Sequence, residues 1–204
     1  MPHLALIRVA TQTLIDHVEE LTELDQAIGD GDHGLNMKRG ALAIQAKLPE
    51  WQGKSLNEIL KAMGLTCMST IGGSSGPVFG TLLVTLAKEL PAEPGPADLS
   101  RALRTGIAAL TKLGKAVVGQ KTLLDVLDPL QALLDEVAAS GERGRDAVAR
   151  VRQCALDAAT ATANLDATRG RASFLGDRAL GHIDPGSRSV ALIVCAICDN
   201  LAAA

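Results

Sequence analysis

Apolar residues recur at helical spacing along most of this chain, and that periodicity leaves little room for any other secondary structure. Residues 4–21 place Ile7, Ala10, Leu14, Val18 and Leu21 on one face. Residues 34–48 read as a second helix, stopped by Pro49. Ser55 and Glu58 have capping-box spacing ahead of a third, whose face carries Leu56, Ile59, Leu60, Met63, Cys67 and Ile71. Pro77 suits the first turn of a fourth, running to about Leu90. A fifth covers 98–113, a sixth carries Leu123, Leu127, Leu130, Leu134 and Val137, and a seventh covers 145–166. Pro185 opens an eighth with Val190, Val194, Ile197 and Leu201. Hydrophobic residues make up 47% of the chain but aromatics only 1%, so the core must be aliphatic. That suits close-packed helices better than a β-sandwich. The expected fold is all-α: one domain over 1–204, an up-and-down antiparallel bundle or barrel of eight amphipathic helices.

The polar breaks between these helices are unequal. An Asp/Gly run follows the first, Gly72-Gly73-Ser74-Ser75-Gly76 follows the third, 114–121 follows the fifth and 169–186 follows the seventh. Loops after odd-numbered helices of an up-and-down bundle all lie at one end. Every unusual loop is therefore expected to converge on one face, while the even-numbered connections are short and bland.

The first of these loops reads Asp25-Gln26-Ala27-Ile28-Gly29-Asp30-Gly31-Asp32-His33-Gly34-Leu35-Asn36. Asp and Gly are poor helix formers, so the run is expected to break the helical pattern. Clustered carboxylates repel one another unless cations lie between them. Hard oxygen ligands on a flexible loop suit Mg²⁺, with phosphate oxygens completing its shell. A plain polar turn is the alternative, made less attractive by the third Asp and the His-Gly-x-Asn tail. Gly72–Gly76 ahead of a helix offers N–H groups, hydroxyls and a positive helix end, all suited to phosphate. It lacks the Lys of a Walker A loop. Arg169, Arg171, Arg178 and Arg188 can pair with phosphates bidentately, although any one of them is equally a solvated surface charge.

Several classes are excluded. The formal net charge of -3 with no basic block argues against nucleic acid as a partner. No uncharged apolar run of membrane-spanning length and no signal peptide is visible, so a cytoplasmic protein with reduced thiols is expected. Cys67, Cys154, Cys195 and Cys198 sit in apolar helical patterns and read as core residues, as do Trp51 and Phe79. No nucleophile and base pair stands out, which is consistent with phosphoryl transfer, where the protein chiefly positions groups and neutralises charge.

Four stretches are specific enough to carry a resemblance. They are Glu23-Leu24-Asp25-x-x-Ile28-Gly29-Asp30-Gly31-Asp32-His33-Gly34-x-Asn36-Met37, Gly72-Gly73-Ser74-Ser75-Gly76-Pro77-x-Phe79-Gly80-Thr81, Gly119-Gln120-Lys121-Thr122-Leu123-Leu124-Asp125 and the segment from Gly170 to Gly186. In order and from end to end, the chain resembles the nucleotide-binding L subunit, or L domain, of the dihydroxyacetone kinases. The resemblance implies an eight-helix barrel with ADP or ATP held by loops at one end. It implies that Asp25, Asp30 and Asp32 hold two Mg²⁺ ions, and that His33, Gly34, Leu35, Asn36, Ser74 and Ser75 form the phosphate side of the pocket. Gly114, Leu123, Arg171, Asp184, Pro185 and Gly186 would then surround the adenosine. Gln120, Leu123 and Phe174 depart from the family pattern, where Asp, Met and Tyr are expected. The ketose-binding K domain is absent from the chain, so a separate K subunit is the expected partner and the chain alone has no catalytic residue. One branch of the family keeps ADP as a coenzyme rephosphorylated by a phosphotransferase-system protein. Another uses ATP directly on dihydroxyacetone or another small ketose such as a tetrulose. A third reading, of a different class, is a nucleotide-sensing module that binds a transcription regulator.

Overall fold

The computed structural model describes residues 2–203. Among them are nine α-helices and no strand: α1 (Pro2–Asp16), α2 (Val18–Ile28), α3 (His33–Lys47), α4 (Leu56–Thr70), α5 (Ser75–Glu89), α6 (Pro96–Gly114), α7 (Leu124–Ser140), α8 (Arg145–Ala161) and α9 (Pro185–Ala203). The expected first helix is α1 and α2 together. His17, at φ -105° and ψ 21°, bends the rod without ending it. The amide of His17 still donates to Thr13 O at 3.1 Å, and that of Leu21 to His17 O at 3.0 Å. The nine helices are thus eight rods.

That first rod is longer than 4–21. It continues to Ile28 and takes Asp25 into its last turn, so the acidic run begins inside a helix. Apolar burial explains why. Leu14, Leu21 and Ile28 recur every seventh residue and are all buried, which outweighs the low helix propensity of the Asp and Gly between and after them.

Each of α3 to α9 packs on the next, α3 also lies against α1 and α2, and α9 returns to α1, closing the ring. The core is aliphatic, from Leu14, Leu21, Met37 and Ile44 round to Ile59, Val126, Leu130 and Ala191, with Trp51 and Phe79 buried in it. The tightest crossing is α4 on α5. A Cβ on Gly64 would lie 2.8 Å from the carbonyl oxygen of Gly80, so only glycine admits this approach. Ser55 and Glu58 form the expected capping box at the start of α4. Cys67, Cys195 and Cys198 are buried, and desolvation pushes the Cys67 and Cys198 thiols up to about 11, which leaves them inert.

By length and composition α9 is the one described helix apolar enough to cross a membrane. It packs along α8 and α1, and its charged residues are paired, Arg188 with Glu20 and Asp199 with Arg152. The seventh rod ends earlier than residue 166: α8 stops at Ala161 and passes into a 3₁₀ turn, Thr162–Asn164. The 169–186 segment contains two more such turns, Arg171–Phe174 and Gly176–Ala179. Ala172 and Ala179 from these turns bury themselves on Ile28, seating the segment over the end of α2.

Candidate metal and phosphate site

The Asp-rich loop is held in shape by one of its own carboxylates. Asp25 is only 8% exposed, and its Oδ2 accepts the backbone N–H of Asp32 at 2.9 Å and of His33 at 3.1 Å. Gly31, at φ +77°, makes the reversal between them. Gly34 then lets α3 close on α2, since a Cβ there would lie 2.2 Å from Val18 O. The outcome is that Asp25, Asp30 and Asp32 each bring a ligating oxygen within 4.8 Å of the other two. Asp30 and Asp32 are exposed at the mouth of this cluster.

Three carboxylates this close carry unbalanced negative charge. The nearest cation is Arg171, whose guanidinium lies 2.8 Å from Asp30 Oδ2 and is itself two-thirds exposed. One guanidinium does not neutralise three carboxylates. An all-oxygen donor set with uncompensated charge fits a hard divalent cation.

His33 links this loop to the Gly/Ser turn. Its ring is buried, with Nε2 2.8 Å from Ser189 Oγ and Nδ1 3.2 Å from Ser75 Oγ. Burial holds its pKa below the ordinary imidazole value, against the pull of the Asp25 and Asp32 carboxylates, so the ring is neutral. Ser74 and Ser75 begin α5, whose first-turn N–H groups lack helical partners and so suit an anion.

The third loop is built around Asp125, which accepts from the amides of Gly119 and, at 2.7 Å, Thr122. Gln120, one of the departures from the family pattern, closes the turn by accepting from Val117 N at 3.0 Å. Lys121 is 2% exposed and left-handed at φ 58°. Its ammonium donates to Thr162 O at 2.6 Å and to Ala163 O and Leu165 O at 3.4 Å, capping the end of α8. Desolvation lowers its pKa, opposed by the carboxylates of Asp184, Asp125 and Asp166. Asp184 caps α9, accepting from Ser187 N at 2.6 Å, and burial pushes its pKa up to about 6.

All four loops line one cavity of about 610 Å³. Its wall includes Asp25, Asp30, Asp32, His33, Ser74, Ser75, Gly114, Leu123, Arg171, Asp184, Pro185 and Gly186. Apolar surface from Val78, Phe79, Leu110, Leu124 and Phe174 completes it. Three expected residues lie outside the wall. Gly34 is sealed against α2, Leu35 points to solvent at 58% exposure, and Asn36 is buried beneath Gly72, accepting from Arg39 at 3.0 Å. Arg171 pairs with Asp30 of the carboxylate cluster and lines the same cavity as Asp184, Pro185 and Gly186. Lys121 and Ser189 escaped sequence reasoning. Lysine and serine at helix ends are usually exposed, and nothing local marks these two as buried.

The family model described as the DAK2 domain matches residues 27–199. The chain belongs to the DAK2 family. Among DAK2 relatives, it is 40% identical to the ADP-binding subunit DhaL of the PEP-dependent dihydroxyacetone kinase of Escherichia coli (strain K12), over 84% of this chain and 83% of that one. It is 38% identical to the ADP-binding subunit DhaL of PEP-dependent dihydroxyacetone kinase 1 of Listeria innocua, over 85% of this chain and 82% of that one. The fold is shared with the crystal structure of the dihydroxyacetone kinase from C. freundii in complex with AMP-PNP and Mg²⁺, at TM-score 0.75 and 24% identity. That match covers 97% of this DAK2 chain and spans about a third, 33%, of the solved one.

Proposed function

We propose that this chain is the nucleotide-binding subunit of a dihydroxyacetone kinase, holding ADP as a coenzyme with two Mg²⁺ ions. The observation that carries this is the meeting of three carboxylates, within 4.8 Å of one another, with the Ser74–Ser75 helix start on one cavity wall. That pairing of a cation site with an anion site suits a metal-bound diphosphate and little else of this size. The names of its relatives, ADP-binding subunits of PEP-dependent kinases, support the phosphotransferase-linked reading over direct use of ATP.

Asp25, Asp30 and Asp32 would hold the metal, which when bound would neutralise the phosphates and polarise the phosphoryl group to be transferred. Ser74, Ser75 and the first turn of α5 would take the phosphate oxygens. Arg171 is within reach of the same charge through Asp30. Leu110, Leu123, Leu124 and Phe174 would take the apolar face of the base, and Asp184–Gly186 its polar edge. The 3₁₀ turns of 169–186, pinned on Ile28, would shield this arrangement from water.

Among the described residues no loop at the far end offers a second built site for the ketose. The connections at the opposite end of the barrel, such as 91–95 and 141–144, are short. A K subunit docking over the loop end would present the acceptor hydroxyl in line, as phosphoryl transfer requires. The phosphate would be replenished by a phosphotransferase-system donor protein. A coupled assay tests this. With dihydroxyacetone, phosphoenolpyruvate and the phosphotransferase components, product should form only when a K subunit is added. Turnover by the chain alone would refute the two-component reading.

A further inference from the structure

Lys121 is the one buried lysine among the described residues, and its backbone is left-handed at φ 58°. A side chain makes that conformation unfavourable, so glycine is the residue such a turn ordinarily takes. Burying a cationic side chain is a second cost. Both fall on one residue of the cavity wall. A residue kept against such costs is kept by what surrounds it.

What surrounds Lys121 is the end of α8. Its ammonium donates to Thr162 O, Ala163 O and Leu165 O, carbonyls that have run out of helical N–H partners. An ammonium only donates and a carbonyl only accepts, so the sense of these bonds is fixed. The same two residues, Thr162 and Ala163, also hold the return of the last loop. Ala163 O accepts from Gly181 N at 2.9 Å. Thr162 Oγ1 accepts from Asp184 N at 3.0 Å while donating to Ala159 O at 2.6 Å. The chain from 164 to 180 thus leaves and returns through one neck. Beside Lys121, Thr122 O accepts from Ser187 Oγ at 2.9 Å, in the first turn of α9.

We propose that Lys121 and Thr162 form a clamp on this neck, and that Lys121 is through it a positioning residue for the nucleoside: it sets Asp184–Gly186 against Leu123 along one edge of the cavity. The two stretches are in contact range, since a Cβ on Gly186 would lie 3.8 Å from Leu123 Cβ. The carboxylate cluster is held separately, by the bonds from the Asp32 and His33 amides to Asp25. The clamp therefore acts on one side of the pocket and leaves the other alone. Assigning that side to the nucleoside rests on the magnesium–nucleotide reading. The clamp itself does not, because its bonds lie within the chain.

ADP and inorganic pyrophosphate, each with Mg²⁺, are titrated into the full chain as wild type, Lys121→Met and Lys121→Gly. Pyrophosphate reads the carboxylates and the start of α5, and ADP reads these together with the nucleoside side. Lys121→Met should lose about tenfold more affinity for ADP than for pyrophosphate, because it leaves the neck carbonyls unpaired. Lys121→Gly should show the same split, although glycine relieves the left-handed backbone. Equal losses for both probes would make Lys121 a general support, and no loss would make it a plain helix cap. Either overturns the proposal, as does a Lys121→Gly chain that binds ADP like the wild type. Hydrogen exchange of the ligand-free chain reads the clamp directly. The Gly181 and Asp184 amides should exchange about tenfold faster in Lys121→Met, while those of Asp32 and His33 keep their protection. Unchanged exchange at Gly181 and Asp184 overturns the clamp. Should Lys121→Met fail to fold, Thr162→Val keeps the side-chain shape and removes the acceptor of the Asp184 amide. It must then show the same split between ADP and pyrophosphate, and its absence overturns the proposal. If the wild type binds neither probe, the nucleotide reading fails, while exchange at Gly181 and Asp184 still decides the clamp.

Discussion

Asp25 holds His33 in place: its Oδ2 accepts the amide of His33 at 3.1 Å as well as that of Asp32 at 2.9 Å, so one carboxylate joins the last turn of α2 to the first turn of α3. Asp32, at the N-cap of α3, makes no cap bond of its own, and Asp25 supplies the missing acceptor from across the loop. Asp25 is therefore structural as well as one of the three carboxylates proposed to hold the metal. Asp25→Ala should cost about 1–3 kcal/mol of stability without any ligand, because it strands two amide donors. Chemical denaturation of the ligand-free protein measures this, and an unchanged midpoint would contradict it.

Asp30 should behave differently. Its partner is the exposed guanidinium of Arg171, a pair worth at most about 1 kcal/mol. Removing Asp30 also relieves repulsion from Asp25 and Asp32. Asp30→Ala should melt within about 3 °C of the wild type without ligand. The wild type should gain about 5–10 °C from saturating ADP and Mg²⁺, by mass action on the folded state. Asp30→Ala should lose that gain, and a mutant retaining it would remove Asp30 from the metal site.

Asp184 sets a pH dependence. Burial raises its pKa from 3.8 to about 6 in the folded chain. A raised carboxyl favours the folded state while protonated, so its contribution is full below pH 3.8 and is lost as pH rises through about 6. Asp184→Asn keeps an acceptor for the Ser187 amide but cannot ionise. At pH 7 it should be more stable than the wild type, by at most about 3 kcal/mol, with the advantage vanishing toward pH 4. Melting curves across that range check it; parallel pH profiles would show that Asp184 is not desolvated.

The Ile28 cluster predicts a coupled response. Ala172 and Ala179 of the 169–186 segment rest on the last residue of α2, next to the Asp loop. Hydrogen exchange should slow together at 25–36 and 169–186 when ADP and Mg²⁺ are added, with little change at the opposite end of the barrel. Equal protection with and without ligand would count against one shared site.

Much of this was legible in the residues. Periodic apolar faces and a near absence of aromatics pointed to packed helices, and the parity of the polar loops placed all four at one end, where they line one cavity. Local propensity predicts a loop for the whole Asp run, whereas the seven-residue recurrence of buried Leu14, Leu21 and Ile28 carries α2 through Asp25. The bend at His17 has no Gly or Pro to announce it. Asn36 lies buried against Gly72 of the Gly/Ser turn, just behind the cavity wall, a matter of rotation that spacing alone does not settle. Lys121 and Ser189 are defined by partners some 41 and 156 positions away, and only the closed ring brings those together.

Titration calorimetry of the full chain with ADP, in the presence and absence of Mg²⁺, is the most direct test of the whole account. One ADP should bind per chain when Mg²⁺ is present, and binding should collapse in EDTA or in Asp32→Asn, because the carboxylate cluster holds the phosphates only through the cation. No binding with Mg²⁺, or equal binding without it, would contradict the assignment of this cavity.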